Sequence, residues 1–406
     1  MKNILLIMPY GSVGGMERLA LTFYKCYKEN GYNVKALKFI QLENDIIHFG
    51  EDELFLKKKD FFEMSITERY SFYLKLPFLI RRVIKKHQVT HSIAFGDMAN
   101  LYSSLTYTKE FKVGSIHALK SVELKNKTFL NSLIKKGFKF SYKNLNKLVC
   151  ISEGIKKDLL EKCEYRFENN LQVIYNPHNF KSILKSSEEV IENKEERQLF
   201  KNYDVILFIG RLSTQKSLWH LVNAFSAVAN KQDKAKLVFI GDGDPAVQNY
   251  ISGQVSKLKL SDKTVFMGRK NNPFKYLKAA KLLALSSHFE GTPNVIVEAI
   301  SVGTPIVSSN CTEGIFELMS LSENARNITE NLETESGIIT PNLFKGVLGI
   351  PEDDKFIEEE YKLADALTKV LDHNEVYRAE LKKHQKELME KFDDALVSEM
   401  YLKSMV

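Results

Sequence analysis

At 406 residues the chain is sized for two domains. Its 44% hydrophobic and 27% charged residues give the balance of a folded enzyme, which excludes disordered and collagen-like chains. Over residues 1–180, 29 Lys and Arg stand against 18 Asp and Glu, a net +11, so residues 181–406 carry +7 − 11 = −4; a basic N-terminal half suits nucleic acid, anionic lipid or a phosphorylated substrate.

The longest apolar runs, Ile4 to Met8 and Val205 to Ile209, fall short of the roughly 18 residues a membrane span needs. The residues before Pro9 lack the apolar stretch of a secretory signal. Cys26, Cys150, Cys163 and Cys311 are scattered, with no CxxC pair and no histidine at a zinc-ligand interval, which points to a reducing cytoplasm and no structural metal.

In chain order, Ile4 to Met8 is a short apolar run of the kind found in a strand covered on both faces. A glycine-rich turn follows, and then a helix over 16–30 with Leu19, Ala20, Phe23 and Tyr27 on one face, stopped by Gly31. Strands follow at Val34 to Ile40, His91 to Phe95, Val113 to Ile116 and Leu148 to Ser152, with helical stretches between most of them. The charged, glycine-free stretch 186–196 reads as a linker or an exposed helix. A second series then runs strand 205–209, helix 218–230, strand 236–240, helix 246–259, strand 264–267, helix 273–280, strand 282–286, helix 294–302 and strand 304–308. Residues 321–356 read as a loop. The tail from 358 is helical, with a break at Asp372-His373-Asn374.

Alternation of this kind makes parallel sheets with helices on both faces. The fold class is therefore α/β, with two doubly wound Rossmann-like domains facing across a cleft. The expected boundaries are an N-terminal domain over 1–185, a C-terminal domain over 200–385, and a last helix over 386–406. In such sheets ligands bind outside the carboxyl ends of the strands, so motifs at strand ends carry most weight.

Ser286 to Ala299 leaves a strand and enters a helix. Thr292 suits the N-cap and Pro293 the first helical position, which leaves amides free at an end that favours phosphate. Glu298 lies about a turn into the helix, within reach of a sugar or ribose hydroxyl, and Glu290 lies before the cap. A capped helix with two solvated glutamates is the plain alternative. After strand 205–209, Gly210-Arg211-Leu212-Ser213-Thr214-Gln215-Lys216-Ser217 offers a guanidinium and an ammonium to a diphosphate. It departs from a P-loop because Gln215 stands where glycine is needed. Residues 11–15 do not form GxGxxG, which argues against a dinucleotide-dependent dehydrogenase. Gly241-Asp242-Gly243-Asp244 reads as a turn. His117 sits just past a strand, where a structural role is the simpler reading. Leu124 to Lys147 carries Lys125, Lys127, Lys135, Lys136, Lys139, Lys143 and Lys147 beside aromatics, and Leu74 to Lys86 is similar. Either segment suits an anionic membrane surface or an ordinary helix with exposed lysines.

Glu290-x7-Glu298, Gly303-Thr-Pro-Ile-Val and Gly210-Arg-Leu-x4-Lys216 together resemble the donor-domain signature of the retaining, GT-B-type glycosyltransferases of family 4. Tyr10 to Arg18, Cys150 to Lys157 and Val173 to Pro177 extend the likeness over most of residues 1–320. The resemblance implies a hexosyltransferase-type enzyme using a nucleotide sugar, with UDP favoured, and an acceptor that is a glycan or lipid-linked saccharide of surface polysaccharide or glycoconjugate synthesis. It implies catalytic roles for His117 and Glu290. Donor binding would fall to Gly15, Arg211, Lys216, Met267, Arg269, Gly291, Thr292, Pro293, Asn294, Val295 and Glu298, and the acceptor side to Gly14 and Glu17. No cofactor, divalent metal or nucleic acid is implied. The location would be cytoplasmic, with peripheral contact to the inner membrane face through the basic domain, and the last helix would cross back to the N-terminal domain. Asn176-Pro177-His178-Asn179 departs from the family's usual turn. A nucleotide-sugar or partner-binding subunit without catalysis, a nucleic-acid-binding protein and a sugar-nucleotide epimerase are the rival readings.

Overall fold

The computed structural model describes residues 2–11, 15–43, 45–60, 63–126, 128–322, 328–352 and 355–404. Gly14 and Lys127 lie outside the described residues. The chain divides into two compact units, Met1–Pro177 with Asp394–Val406, and His178–Asp393.

The first unit is built on strands β1 (Asn3–Met8), β2 (Asn33–Ile40), β3 (Glu53–Lys57), β4 (His91–Phe95), β5 (Phe111–Ile116), β6 (Lys147–Cys150) and β7 (Leu171–Val173). They pair in the order β3-β2-β1-β4-β5-β6-β7, every pair parallel. Side chains alternate along a strand, so an all-apolar strand must feed two cores. Ile4, Leu6 and Met8 pack with Leu19, Phe23 and Tyr27 of helix Gly15–Glu29. Leu5 and Ile7 pack with Phe72, Leu76 and Ile80 of helix Ile66–Lys86 on the opposite face. Gly31, at φ +77°, ends the first helix in the left-handed conformation that glycine adopts without strain.

The second unit uses β8 (Asp204–Ile209), β9 (Ala235–Ile240), β10 (Thr264–Phe266), β11 (Leu282–Leu285), β12 (Ile306–Ser309), β13 (Leu332–Thr334) and β14 (Gly337–Thr340). Their order is β10-β9-β8-β11-β12-β14-β13. All pairs are parallel except β13 with β14. In both sheets the order reverses beside the first strand, at β1/β4 and at β8/β11. These are the crevices where a doubly wound sheet binds ligands.

Several sequence expectations are corrected. Residues 321–356 are not one loop, because β13 and β14 form a hairpin whose second strand extends the sheet beside β12. Strands β3 and β7 and helix Gly314–Met319 are additional elements. The first boundary falls at 177 rather than 185, since helix Phe180–Ser187 docks in the second unit, where Asn272 Nδ2 donates to Ser186 O at 2.8 Å. The stretch 186–196 is tied down rather than free: Glu196 accepts from Lys270 and from the Tyr276 hydroxyl, both at 2.6 Å. The return to the first unit starts at Asp394, not 386. Helix Asn374–Glu390 stays in the second unit because Arg378 and Gln385 donate to the carbonyls of Gly303 and Ile300, at 2.9 and 2.6 Å.

Helix Asp394–Lys403 completes the first core, with Val397 buried and the Tyr401 ring 4.6 Å from that of Phe23. Removing so large a buried ring leaves a cavity, so Tyr401→Ala should destabilise the protein by about 3–5 kcal/mol, read as a lower midpoint in urea unfolding.

Candidate active site

At the crevice of the second unit, two loops leave adjacent parallel strands and lock together. After β8 the chain runs through Arg211 to Lys216, and after β11 through Ser286 to Glu290. Gln215 spans them: its side-chain amide donates to Phe289 O at 2.9 Å and to Glu290 Oε2 at 3.3 Å, while its backbone carbonyl accepts from the His288 N–H at 2.9 Å. Ser217 adopts φ +42°, which costs about 1 kcal/mol for a non-glycine residue, and its hydroxyl donates to Ser286 O at 2.5 Å.

The locked loops bring Lys216 onto Glu290 as an ion pair. Glu290 also accepts from the Ser287 hydroxyl at 2.7 Å. It is 8% exposed, so the reading of a solvated glutamate is corrected: this carboxylate is buried and receives hydrogen bonds at both oxygens. Cys311 lies close enough that burial, followed by the charge of Glu290, raises its thiol pKa.

Other proposed donor residues surround this pair at strand ends. Arg211 is exposed, and its guanidinium makes no hydrogen bond or ion pair among the described residues. Met267 is half-buried and Arg269 exposed at the end of β10, two strands from β8. Gly268 O accepts from the Gly241 N–H at 2.9 Å, which ties that end to the turn after β9. The 241–244 turn is more than a surface bend. A Cβ on Gly241 would overlap Gly210 O and one on Gly243 would overlap Leu212 O, so only glycine admits this approach to the arginine-bearing loop.

Helix Asn294–Val302 begins directly after the glutamate loop. Its N-cap is Pro293 rather than Thr292, because the proline backbone is still extended at ψ 106°. The Thr292 hydroxyl is buried and has no partner among the described residues. Gly291 is half-buried, Asn294 exposed and Val295 buried, and Glu298 is half-buried one turn into the helix. The first amides of a helix have no intrahelical acceptors and carry its positive dipole end. The unusual 176–179 turn has a structural use here. Buried His178 bonds the Asn294 side chain, and burial lowers its pKa to about 4 against that bond.

The edge of the first unit holds Gly15, Glu17 and His117. Gly15 starts the helix after β1. Glu17 is buried with Oε2 unpartnered among the described residues, and burial, with Asp45 adding, raises its pKa. The loop after β1 is clamped from below. Fully buried Lys38 pairs with Asp45 at 3.1 Å and with Glu53, and Asp45 accepts from the Gly11 N–H at 2.8 Å. His117 follows β5, two strands from β1. Its Nε2 lies 2.8 Å from Ser115 Oγ, whose hydroxyl donates to Ala94 O at 3.0 Å. Nε2 therefore carries the proton, and Nδ1 is left as an acceptor. Burial, then Lys120, lowers the imidazole pKa to about 3, so it is neutral at working pH.

Sequence reasoning missed Gln215, Ser287, Asn100 and the Lys38 cluster. Asn100 clamps both backbone groups of Ser115, at 2.8 and 3.1 Å. Gln215 meets residues 74 and 75 positions later, and the other contacts cross between separate elements or sit within a loop, so none follows a helix or strand period.

A family model described as Glycosyl transferases group 1 matches residues 173–336. An uncharacterized glycosyltransferase of Methanocaldococcus jannaschii, MJ1059, is 27% identical over 75% of this chain and 76% of its own length. The Campylobacter jejuni N-acetylgalactosamine-N,N'-diacetylbacillosaminyl-diphospho-undecaprenol 4-alpha-N-acetylgalactosaminyltransferase is 26% identical over 63% of this chain and 65% of its own. The Anabaena protein Alr3699/HepE, solved with UDP and glucose, superposes with a TM-score of 0.73 at 17% identity, covering 100% of this chain and 99% of that one. With the fold shared over the full length and glycosyltransferases as its sequence relatives, the chain is an enzyme, a glycosyltransferase of GT-B fold.

Proposed function

We propose that this enzyme transfers a hexosyl group, with retention, from a UDP-sugar to a lipid-linked saccharide of a surface glycan. The observation that carries the reading is the Lys216–Glu290 pair at the crevice of the second unit, with exposed Arg211 on the same loop as Lys216 and a helix N-terminus just after Glu290. UDP is supported by its presence in the structure of the Anabaena neighbour, and the acceptor class by the diphospho-undecaprenol substrate in the name of the Campylobacter relative. The second unit takes the donor: Arg211, Lys216 and the amides at 294–295 hold the diphosphate, Glu298 the ribose, and Met267 and Arg269 flank the base. The first unit takes the acceptor, with Gly14 and Glu17 on that side.

In transfer, the bond between the anomeric carbon and the phosphate oxygen breaks and its electron pair stays on the phosphate. Arg211, Lys216 and the helix dipole stabilise that charge where it develops, so no divalent metal is needed. The acceptor hydroxyl attacks from the face the phosphate leaves, and its proton passes to the departing phosphate oxygen. Glu290, with donors on both oxygens, is positioned to accept from a sugar hydroxyl rather than to attack carbon. Neutral His117 offers Nδ1 as an acceptor and orients a hydroxyl without moving a proton.

A membrane-facing surface fits this acceptor. Among the described residues no helix is long and apolar enough to cross a membrane. Helix Ile66–Lys86, however, exposes Ile66, Tyr70, Leu74 and Phe78 at four-residue spacing, opposite its buried Phe72, Leu76, Ile80 and Ile84. Exposed Phe129 meets Tyr70 at 5.9 Å between ring centroids. The stripe runs into Arg81, Arg82, Lys85 and Lys86, so apolar insertion and attraction to anionic headgroups act on one face. The four cysteines form no disulfide, in keeping with work on the cytoplasmic side.

Three outcomes are expected. In EDTA, UDP should raise the melting temperature, and Arg211→Ala and Glu298→Ala should each weaken UDP binding at least about tenfold, about 1.4 kcal/mol; no stabilisation of the wild type by UDP would overturn the donor assignment. The folded pKa of His117, about 3, lies below the ordinary 6.5, so its neutral form favours folding and that stability is lost as pH falls from 6.5 towards 3. His117→Asn should accordingly lower kcat without changing the shape of the pH–rate profile between about pH 5 and 8, where a limb near 6.5 lost in the variant would instead reveal proton transfer. Vesicles containing phosphatidylglycerol should sediment the protein and pure phosphatidylcholine vesicles should not, and Leu74→Glu with Phe78→Glu should cut the bound fraction about tenfold or more.

A further inference from the structure

The second unit contains a cavity of about 640 Å³ beside His288 of the loop after β11, between the helices Leu218–Ala229 and Pro245–Lys257 and the segment 343–352. Trp219, Tyr250, Gln254, His220, His288 and Glu360 line it. None of these residues has a role in the mechanism above.

The hydrogen-bond directions in its wall are determined from Glu360 outward. Glu360, 1% exposed, accepts from the Ile357 N–H at 3.0 Å, from Asn223 Nδ2 at 3.0 Å and from His220 Nδ1 at 2.6 Å. With His220 as a neutral imidazole that gives its Nδ1 proton to the carboxylate, its Nε2 is an acceptor and His288 Nε2, 3.0 Å away, donates to it. His288 Nδ1 is then a bare acceptor; it is buried and has no partner among the described residues. Burial, then His220, lowers the pKa of His288 to about 4, in line with a neutral ring. Gln254 gives the same result independently. Its amide nitrogen spends both protons, on Trp219 O at 3.1 Å and Asn223 Oδ1 at 2.6 Å. Its Oε1 is left buried and, among the described residues, unpartnered.

Two buried acceptors without donors belong to residues in the wall of a cavity also lined by Trp219 and Tyr250, with 5.6 Å between the Trp219 and His288 rings and 6.1 Å between those of Trp219 and Tyr250. A buried acceptor left without a donor keeps the desolvation penalty of its burial. The complement is a molecule that brings O–H donors for the acceptors and an apolar C–H face for the rings, and that carries no net charge, since Lys345 and Lys355 balance Glu352 and Glu360 in the lining. We propose that this cavity is a second, noncatalytic binding site for a neutral saccharide. It does not depend on which nucleotide the donor site takes.

Trp219 is the chain's single tryptophan, so its fluorescence reports on this cavity alone. The experiment titrates glucose, galactose, N-acetylglucosamine and N-acetylgalactosamine, with inorganic phosphate as control, with and without saturating UDP. The expected result is a saturable change in emission with at least one sugar, unaltered by UDP and absent with phosphate. Gln254→Leu should raise the apparent Kd at least tenfold. Tyr250→Ala, on the half-buried wall where the fold tolerates truncation, should do the same. UDP binding should be preserved in both variants. No response to any sugar, a response that UDP competes away, or one that persists unchanged in both variants would overturn the proposal, and a response to phosphate alone would overturn it by making the cavity an anion site.

Discussion

The second unit depends on the lock between the loops after β8 and β11. A parallel sheet ends its strands in loops that have no ladder to hold them, and here Gln215, Ser217, Ser286 and Ser287 supply the missing hydrogen bonds. Their combined effect is to set an ammonium against a buried carboxylate at the one place where strand order reverses. Removing either partner of a buried pair leaves a charge without compensation, a penalty of several kcal/mol. Geometry that is costly to break is geometry that stays in place while substrate binds, and this is what electrostatic catalysis requires.

The first unit solves a similar problem with different residues. Lys38, fully buried, is compensated by Asp45, Glu53 and the carbonyl of Ile47, and Asp45 in turn holds the Gly11 N–H just past β1. At the next strand end Lys120 is charged despite burial because Asp97 and Glu123 flank it, and its charge helps keep His117 neutral. The basic residues of this half therefore include two kinds. Some lysines are internal struts, while the cations of helix Ile66–Lys86 continue an exposed apolar stripe.

Legibility followed burial. Strands buried on both faces, such as β1, β4 and β8, announce themselves as unbroken apolar runs, and their limits were readable to within a residue or two. Strands β3, β7 and β13 are short edge elements with half-exposed or exposed side chains, buried β14 is only four residues long, and the identity of each comes from the neighbour it pairs with. The charged stretch 186–196 looked like a linker because its carboxylates had no visible partners. Lys270 and Tyr276, some 75–80 residues later, provide them.

Residue identity at and after strand ends was enough to determine the chemistry on offer: an arginine, a lysine, a glutamate and a histidine in loops that follow strands, and a second glutamate one turn into a proline-led helix. That much follows from local periodicity and side-chain type. Tertiary structure decided which of these groups meet. It paired Lys216 with Glu290 rather than leaving both to solvent, made Pro293 the helix cap in place of Thr292, and turned the unusual His178 into a buried partner of Asn294. It also created the cavity at Trp219, whose unmatched acceptors come from a helix and from the loop after β11. The physical reason is the same in each case: sequence spacing fixes neighbours within one strand or helix, whereas hydrogen-bond partners and burial are set by elements that come together only when the sheet is assembled.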